Sequence, residues 1–570
     1  MANDILHSHG ITRRDVMAGA AASGVVLAAG AAQAQGRAVR PAQGMVFEDA
    51  DGSRRRNAAS RGVPGVMVSN GRDVVKTDAD GRWALPVADG DSLFVIKPSG
   101  WMTPVDAAGL PRFAYVHAPV GTPAALDLRF PGLAPTGPLP ESIDFPLRRQ
   151  DEATRFDAVL FADPQPESLV ELGYVRDDVV AQLGALPASG VTPAFGITVG
   201  DLMFDDLSLY ERHNRIVGTI GLPWYNCPGN HDMNLEAPDN RHSRETFKRV
   251  FGTRYHAFQY GGATVFVLDN VEYLGADAAK PGKSGAYRGL FGPRQLAFVR
   301  NVLAQVPTDS LVVFTFHIPL RTLSGTDPIF AAVDAQAFLE AISTHPHSVS
   351  FSGHTHTNEH WYFGASDGFA GGTHHHHVLA AVSGSWWSGP ADARGIPAAL
   401  EIDGSPNGFH ILSVDGTRCA TTLVPAHEPQ RGQMRIVLDS QFHGGAREVM
   451  RDSQPGALLG SPIAREAVAS TRVVVNVFDG GPRTQVEMAV GQGGAYVPMR
   501  RTERTDPFVE AMYARNAGTM KPWAKPGLSS HVWQAPLPAG LPSGAHRIAV
   551  RATDEYGRTH QGWMVLEVTA

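Results

Sequence analysis

A chain of 570 residues in which 43% of side chains are hydrophobic can bury more than one core, which excludes a wholly disordered protein. Its 49 basic and 56 acidic residues leave a formal charge of -7, which excludes a broad phosphate-tracking surface for nucleic acid or anionic lipid. Attraction for an anionic ligand must therefore be local.

The N-terminus reads Thr12-Arg13-Arg14-Asp15-Val16-Met17, then a soft apolar run to about Gly30, then Ala32-Gln33-Ala34. Charged, apolar, then A-x-A is the order of a removable export signal, placed over residues 1–34. Arg13 and Arg14 resemble a twin-arginine signal, which implies export of a folded protein and a periplasmic or otherwise extracytoplasmic location. The apolar run is too short and Ala/Gly-rich for a stable membrane anchor, and no second candidate span follows. Of the two cysteines, Cys227 ends the apolar run from Pro223 and reads as a buried thiol; Cys419 is far away in sequence.

Short β-type segments separated by Gly, Asp and Pro fill residues 35–150 and predict a small β-sandwich. The run Gly65 to Ser69 enters an Asn70-Gly71 turn, and Thr77 to Trp83 holds another. Asp78 and Asp80 in that second turn suit hairpin backbone chemistry better than calcium. The segment resembles transthyretin-like or carboxypeptidase-regulatory modules. Pro131 to Pro140 reads as a linker or surface loop.

Residues 151–400 alternate buried-strand runs with amphipathic stretches, the pattern of an α/β sandwich. The runs are Val159–Ala162, Ala194–Val199, Pro223–Cys227 and Leu311–Thr315; Leu296, Val299, Val302 and Leu303 recur at helical spacing. Residues 401–570 return to β patterning, clearest at Thr471–Val477 and His546–Ala552, and predict a second β-sandwich.

Five segments fall just after predicted strands or in the loops they feed: Asp163-Pro164-Gln165, Gly200-Asp201, Gly229-Asn230-His231-Asp232, His317 and Gly353-His354-Thr355-His356. Loops at the carboxyl ends of strands converge in open α/β folds, so segments distant in sequence can share one site. Carboxylates, imidazoles and amide oxygens suit manganese, iron or zinc. The ordered set carries the argument, since a lone Gly-Asp is ordinarily a turn.

That order, D-x-(H or Q), GD, GNH(D/E), H, GHxH, resembles the signature of the calcineurin-like metallophosphoesterases over Asp157 to His356. The run Phe251–Gly261 and then Val267–Asn270 resembles the strand pair that follows GNHD in that family. The flanking β regions are similar to the modules of a bacterial three-domain subgroup. The resemblance implies an exported hydrolase of phosphomonoesters or phosphodiesters that uses hydroxide activated by two divalent or trivalent metal ions. It implies Asp163, Asp201 and His356 at the first metal with Gln165 as an amide-oxygen ligand, and Asp201, Asn230, His317 and His354 at the second. His231, with Asp232 beside it, would be catalytic, His231 as general acid or hydrogen-bond donor to the phosphate. Gln165 departs from the family's usual His, and a place behind the ligands, on a bound water, is the other reading.

Two features near the last ligands stay open. In a strand, His374-His375-His376-His377 would alternate, so at most half could reach one site. Trp386 and Trp387, among Gly384, Ser385 and Gly389, suit a substrate pocket or packing between domains. The substrate is expected to be a phosphate ester, envelope-derived by architecture alone; oligomeric state and metal identity are not encoded legibly. The rival reading is a non-catalytic envelope-binding protein on a metal-stabilised scaffold, against which the bridging Asp201 and the Gly229-Asn230-His231 triplet both stand.

Overall fold

Strands between Arg155 and Pro425 build two sheets whose facing sides share one apolar core. This computed structural model describes residues 39–184, 186–276, 285–426, 432–439 and 462–570; the expected leader, with Arg13 and Arg14, lies outside them. In chain order the central strands are β1 (Arg155–Phe161), β2 (Pro193–Val199), β3 (Trp224–Cys227), β4 (His256–Tyr260), β5 (Ala263–Val267) and β6 (Val312–Thr315). They continue as β7 (Ser348–Ser352), β8 (Glu359–Phe363), β9 (His374–Val378), β10 (Gly408–Asp415) and β11 (Arg418–Pro425). One sheet runs β3-β2-β1-β10-β11 and the other β4-β5-β6-β7-β9-β8. The α/β sandwich expected from the alternating pattern is thus present.

Strands β1, β2 and β3 are mutually parallel, as are β5, β6, β7 and β9. Parallel neighbours buried on both faces require continuous apolar runs, which Val159 to Phe161 and Val312 to Phe314 supply. The crossover helix α1 (Gly292–Leu303) opens with Pro293 in its first turn and buries Leu296, Val299, Val302 and Leu303, as their spacing predicts.

The hairpin β10–β11 lies beyond Leu400, in the stretch assigned by sequence to the C-terminal module, yet β10 pairs antiparallel with β1 and completes the central sheet. An alternating strand carries no mark of which sheet it will join, so composition put the junction too early.

Ahead of this unit, two small sheets are built around Arg40–Glu48 and Ser92–Val95. In the turn between their strands Asp78 accepts the backbone N–H groups of Asp80 and Arg82, the hairpin role expected of it. Their apolar residues run into the central core without a break: Phe94 meets Phe298 of α1 edge to face at 5.7 Å. Lys97 and Glu152 form a fully buried ion pair at 2.6 Å across the same junction. The C-terminal module differs, since strands β12 (Arg472–Val477), β13 (Gly544–Thr553) and β14 (Thr559–Thr569) enclose a core of their own. Among the described residues no helix is long and apolar enough to cross a membrane.

Candidate metal centre and active site

All five segments singled out in the sequence leave the carboxyl ends of parallel strands. Asp163 follows β1, Asp201 follows β2, Asn230 and His231 follow β3, His317 follows β6, and His354 and His356 follow β7. Backbone strain marks the same places. Asp163, Gln165, Asp201, His354 and His356 all have positive φ, between 37° and 77°, a region that side chains with a Cβ rarely enter. Such conformations each cost of order 1–3 kcal/mol and persist where surrounding structure over-determines them.

Two motif glycines are explained by close approach. A Cβ on Gly229 would collide with the carboxylate of Asp201, and one on Gly353 with that of Asp163. Each glycine lets one motif's backbone lie directly against another motif's side chain.

The imidazoles are aimed by backbone carbonyls. His317 Nδ1 lies 3.0 Å from the Val199 carbonyl, His354 Nε2 2.7 Å from that of Ile329, and His356 Nδ1 2.6 Å from that of Gly384. A carbonyl only accepts, so each of these nitrogens carries the proton and the opposite nitrogen of a neutral ring is bare. These opposite nitrogens converge. His317 Nε2 is 3.1 Å from Asp201 Oδ2, 3.0 Å from Asn230 Oδ1 and 3.2 Å from His354 Nδ1, while His356 Nε2 faces Asp163 Oδ1 at 3.8 Å. Burial pushes His354 and His356 down to about 3 and about 4, so both rings are neutral; burial also lowers His317, but the Asp201 and Asp163 carboxylates outweigh it and lift that ring to about 9, so its Nε2 carries a proton toward Asp201 that a bound cation would displace. Lone pairs of nitrogen and oxygen turned toward each other in a buried site suit cations, and the carbonyl-anchored outer nitrogen is the usual support of a metal-ligating His. The donor set therefore fits metal ions, and Asp201, His317 and His354 bring their ligand atoms within 4.8 Å of one another.

Gln165 is oriented by a donor-only partner. Trp386 Nε1 donates to Gln165 Oε1 at 2.7 Å, which turns the amide nitrogen toward Asp201 Oδ2, to which it donates. The amide oxygen thus points at the indole.

His231 stands beside the ligands with its Nδ1 on Asp205 Oδ1 at 2.8 Å and its ring stacked 4.3 Å from Phe204. Burial alone would push this imidazole down, but the carboxylates of Asp205 and Asp201 outweigh it and lift it to about 10, so the ring is cationic. Asp232, expected next to His231 among the catalytic groups, is instead fully buried. Its carboxylate accepts the N–H groups of Leu202 and Gly229 and the hydroxyl of Tyr210, which ties the loop after β2 to the loop after β3. It is a positioning residue.

Sequence reasoning missed Asp205, whose only signal was an acidic pair five residues into the loop after β2, and Trp523 of the C-terminal module. Trp386 stacks on His356 at 4.1 Å and meets Trp523 edge to face at 5.9 Å, and Trp523 stacks on Phe204 at 5.6 Å. These three rings rim the site. Trp387 packs in the core against Tyr174 instead.

The histidine run alternates as a strand must. His374 and His376 interleave with Ser348, Ser350 and Ser352 of β7, at 2.8 to 3.2 Å, while His375 and His377 face the other side. Neither pair reaches the ligands above.

With this geometry in place, a model of the N-terminal part of calcineurin-like phosphoesterases matches residues 50–128, and one of their C-terminal part matches residues 376–560. The chain belongs to the calcineurin-like phosphoesterases. This phosphoesterase is accordingly a metal-dependent hydrolase of phosphoric esters. No curated protein matches it. Among solved structures it is similar to a purple acid phosphatase, PPD1, isolated from yellow lupin (Lupinus luteus) seeds, at 12% identity and a TM-score of 0.33 over 64% of this chain and 68% of that one. A likeness so loose carries no argument here.

Proposed function

We propose that this phosphoesterase acts outside the cytoplasm on phosphomonoesters or phosphodiesters, with two metal ions held by Asp163, Asp201, Asn230, His317, His354 and His356. The convergence of carbonyl-anchored imidazoles on the two carboxylates carries this reading. When bound, such ions activate a water and clamp the phosphoryl oxygens of an in-line displacement. Asp201, beside His317 and His354, would be the ligand shared by both ions. Manganese, iron and zinc all suit this mixed nitrogen and oxygen set. Export rests on the Arg13-Arg14 leader alone.

The chain's own contribution to leaving-group departure is His231. Its ring is held in one orientation by Asp205 on one edge and Phe204 on one face, which leaves Nε2 free to give a proton to a departing alkoxide. Asp205 both orients the ring and keeps it charged. The aromatic rim of Phe204, Trp386 and Trp523 offers flat apolar surface beside this proton donor, which favours esters with a ring in the leaving group.

The test is the leaving-group dependence of the rate. His231→Ala should slow alkyl esters by roughly 10²–10⁴-fold while sparing nitrophenyl esters, whose leaving group needs no proton. A slope of log rate against leaving-group pKa no steeper in the variant than in the wild type would rule out the proton-donor role. Equal losses on both ester types would place His231 on the phosphoryl oxygens instead.

A further inference from the structure

We infer that the junction between the two central sheets and the C-terminal module holds a further metal site, a zinc ion bound by His360, His377, His410 and Asp479. These residues come from four places: His360 from β8, His377 from β9, His410 from β10 of the other sheet, and Asp479 from the turn just after β12. None belongs to the catalytic set.

The geometry is that of a small closed coordination shell. His360 Nε2, His377 Nε2 and His410 Nε2 lie 3.1, 3.2 and 3.8 Å from the same oxygen, Asp479 Oδ1. Around zinc at 2.0–2.1 Å, tetrahedral ligand atoms stand roughly 3.3 Å from each other. The three separations bracket that value. The ligand atoms of His360, His377 and Asp479 lie within 4.8 Å of one another; His410 stands outside that group, 3.8 Å from Asp479 Oδ1, and would draw in to close the shell as the fourth ligand. All four residues are buried.

Hydrogen bonding leaves this cluster incomplete. Asp479 Oδ1 also accepts from Asn358 Nδ2 at 3.3 Å, but Asp479 Oδ2 has no hydrogen-bond partner among the described residues, and neither nitrogen of His410 has one. Each buried polar atom left so costs about 1–3 kcal/mol, and such orphans are rare in folded proteins. His410 shares one face of β10 with Leu412 and Val414, which belong to the apolar core, so it is carried at a core position with nothing to bond. A cation between His410 and Asp479 would take up one of the His410 nitrogens and neutralise the Asp479 carboxylate.

The outer nitrogens of the other two rings are already supported. His360 Nδ1 is 2.9 Å from His375 Nε2, and His377 Nδ1 is 3.1 Å from Thr421 Oγ1, the arrangement that fixes ring tilt and tautomer behind a metal. His377 Nε2 also lies 2.7 Å from Asn358 Oδ1, a bond that zinc would replace. The backbone makes room: a Cβ on Gly481 would press on His360 at 2.7 Å, so glycine lets the turn carrying Asp479 reach the sheet. Three imidazoles and one carboxylate with no open position are a structural rather than a catalytic zinc shell. Its role is a clasp joining both central sheets to the C-terminal module.

Crystals of the wild-type protein grown with zinc, with anomalous data collected on both sides of the zinc edge, test this directly. An anomalous peak enclosed by His360, His377, His410 and Asp479 is expected, separate from those at the catalytic ligands. In solution the wild type should hold one equivalent of zinc more than His410→Ala, with the catalytic ions retained in that variant. Fully loaded wild-type crystals with density for a water or nothing at the cluster would overturn the clasp, leaving an ion pair between Asp479 and an imidazolium. Equal zinc content in the wild type and a folded His410→Ala would do the same. Should His410→Ala fail to fold, the anomalous map of the wild type decides alone.

Discussion

Gln165 shows how much one side chain's partner can decide. Because the Trp386 indole can only donate, it claims the amide oxygen and leaves the amide nitrogen for Asp201. In this orientation the amide nitrogen supports the Asp201 carboxylate and the amide oxygen faces the indole. Gln165→His should then change zinc affinity at the first site by introducing a ring nitrogen there, whereas Trp386→Phe in the native background should free the amide to turn over and shift affinity toward a harder ion such as manganese. Parallel zinc and manganese titrations of both variants check this; wild-type affinities in Trp386→Phe would show that the indole does not hold the amide. Sequence alone could supply Asp163, Asp201, His317, His354 and His356, because side-chain types and order carry that signal. It could not supply the carbonyls of Val199, Ile329 and Gly384 that aim the rings, since every residue has a carbonyl and only the fold selects which one is used.

At the scale of elements, strand ends rather than helices build the site, and the loops leaving them are packed to contact. Gly229→Ala should lower metal content about as far as Asp201→Asn does, although it removes no ligand, because its new Cβ would displace the Asp201 carboxylate. Metal analysis of the two purified variants checks this, and a fully loaded Gly229→Ala would refute the packing argument. The strands bearing Asp163, Asp201, Asn230 and His317 were legible as apolar runs, whereas β7, which bears His354 and His356, alternates serine with Val349 and Phe351 and gave no such run, and the hairpin β10–β11 was misplaced because alternation tells burial of one face and not the partner strand.

The β13–β14 hairpin offers a pH test on residues outside the catalytic ligand set. Its turn is closed by Asp554, which accepts from the N–H groups of Tyr556 and Arg558, the Arg558 guanidinium and His560. Burial pushes this carboxyl up, but His560 and Arg558 outweigh it and hold it at about 2, below the ordinary 3.8. A depressed acid stabilises the fold above its unfolded pKa and loses that stabilisation as pH falls through the folded one. Wild type should therefore exceed Asp554→Asn by about 1 kcal/mol at neutral pH, allowing for solvent screening, and the gap should close between about pH 4 and pH 2. Urea midpoints of both proteins across that range measure it; a gap independent of pH would show that the charge contributes nothing.

Over the whole molecule, the two flanking modules are attached in different ways. The N-terminal module completes the central core through Phe94 and the buried Lys97–Glu152 pair, whereas the C-terminal module closes a core of its own around Val473, Val475 and Ile548. Calorimetry of the metal-depleted protein should thus show two transitions, one for residues up to about Pro425 melting together and one for the C-terminal module. Separate melting of the N-terminal module would contradict the continuous core. The difference also bears on how such chains diversify. A module with its own core can be exchanged by recombination if the few residues that fasten it to the sheets, Asp479 and His531 among them, are kept, and this one carries Trp523 to the rim of the active site. Exchange of the C-terminal module is then a route by which a lineage alters what its enzyme recognises while inheriting the chemistry unchanged, a freedom that the N-terminal module, as part of the catalytic unit's own interior, does not have.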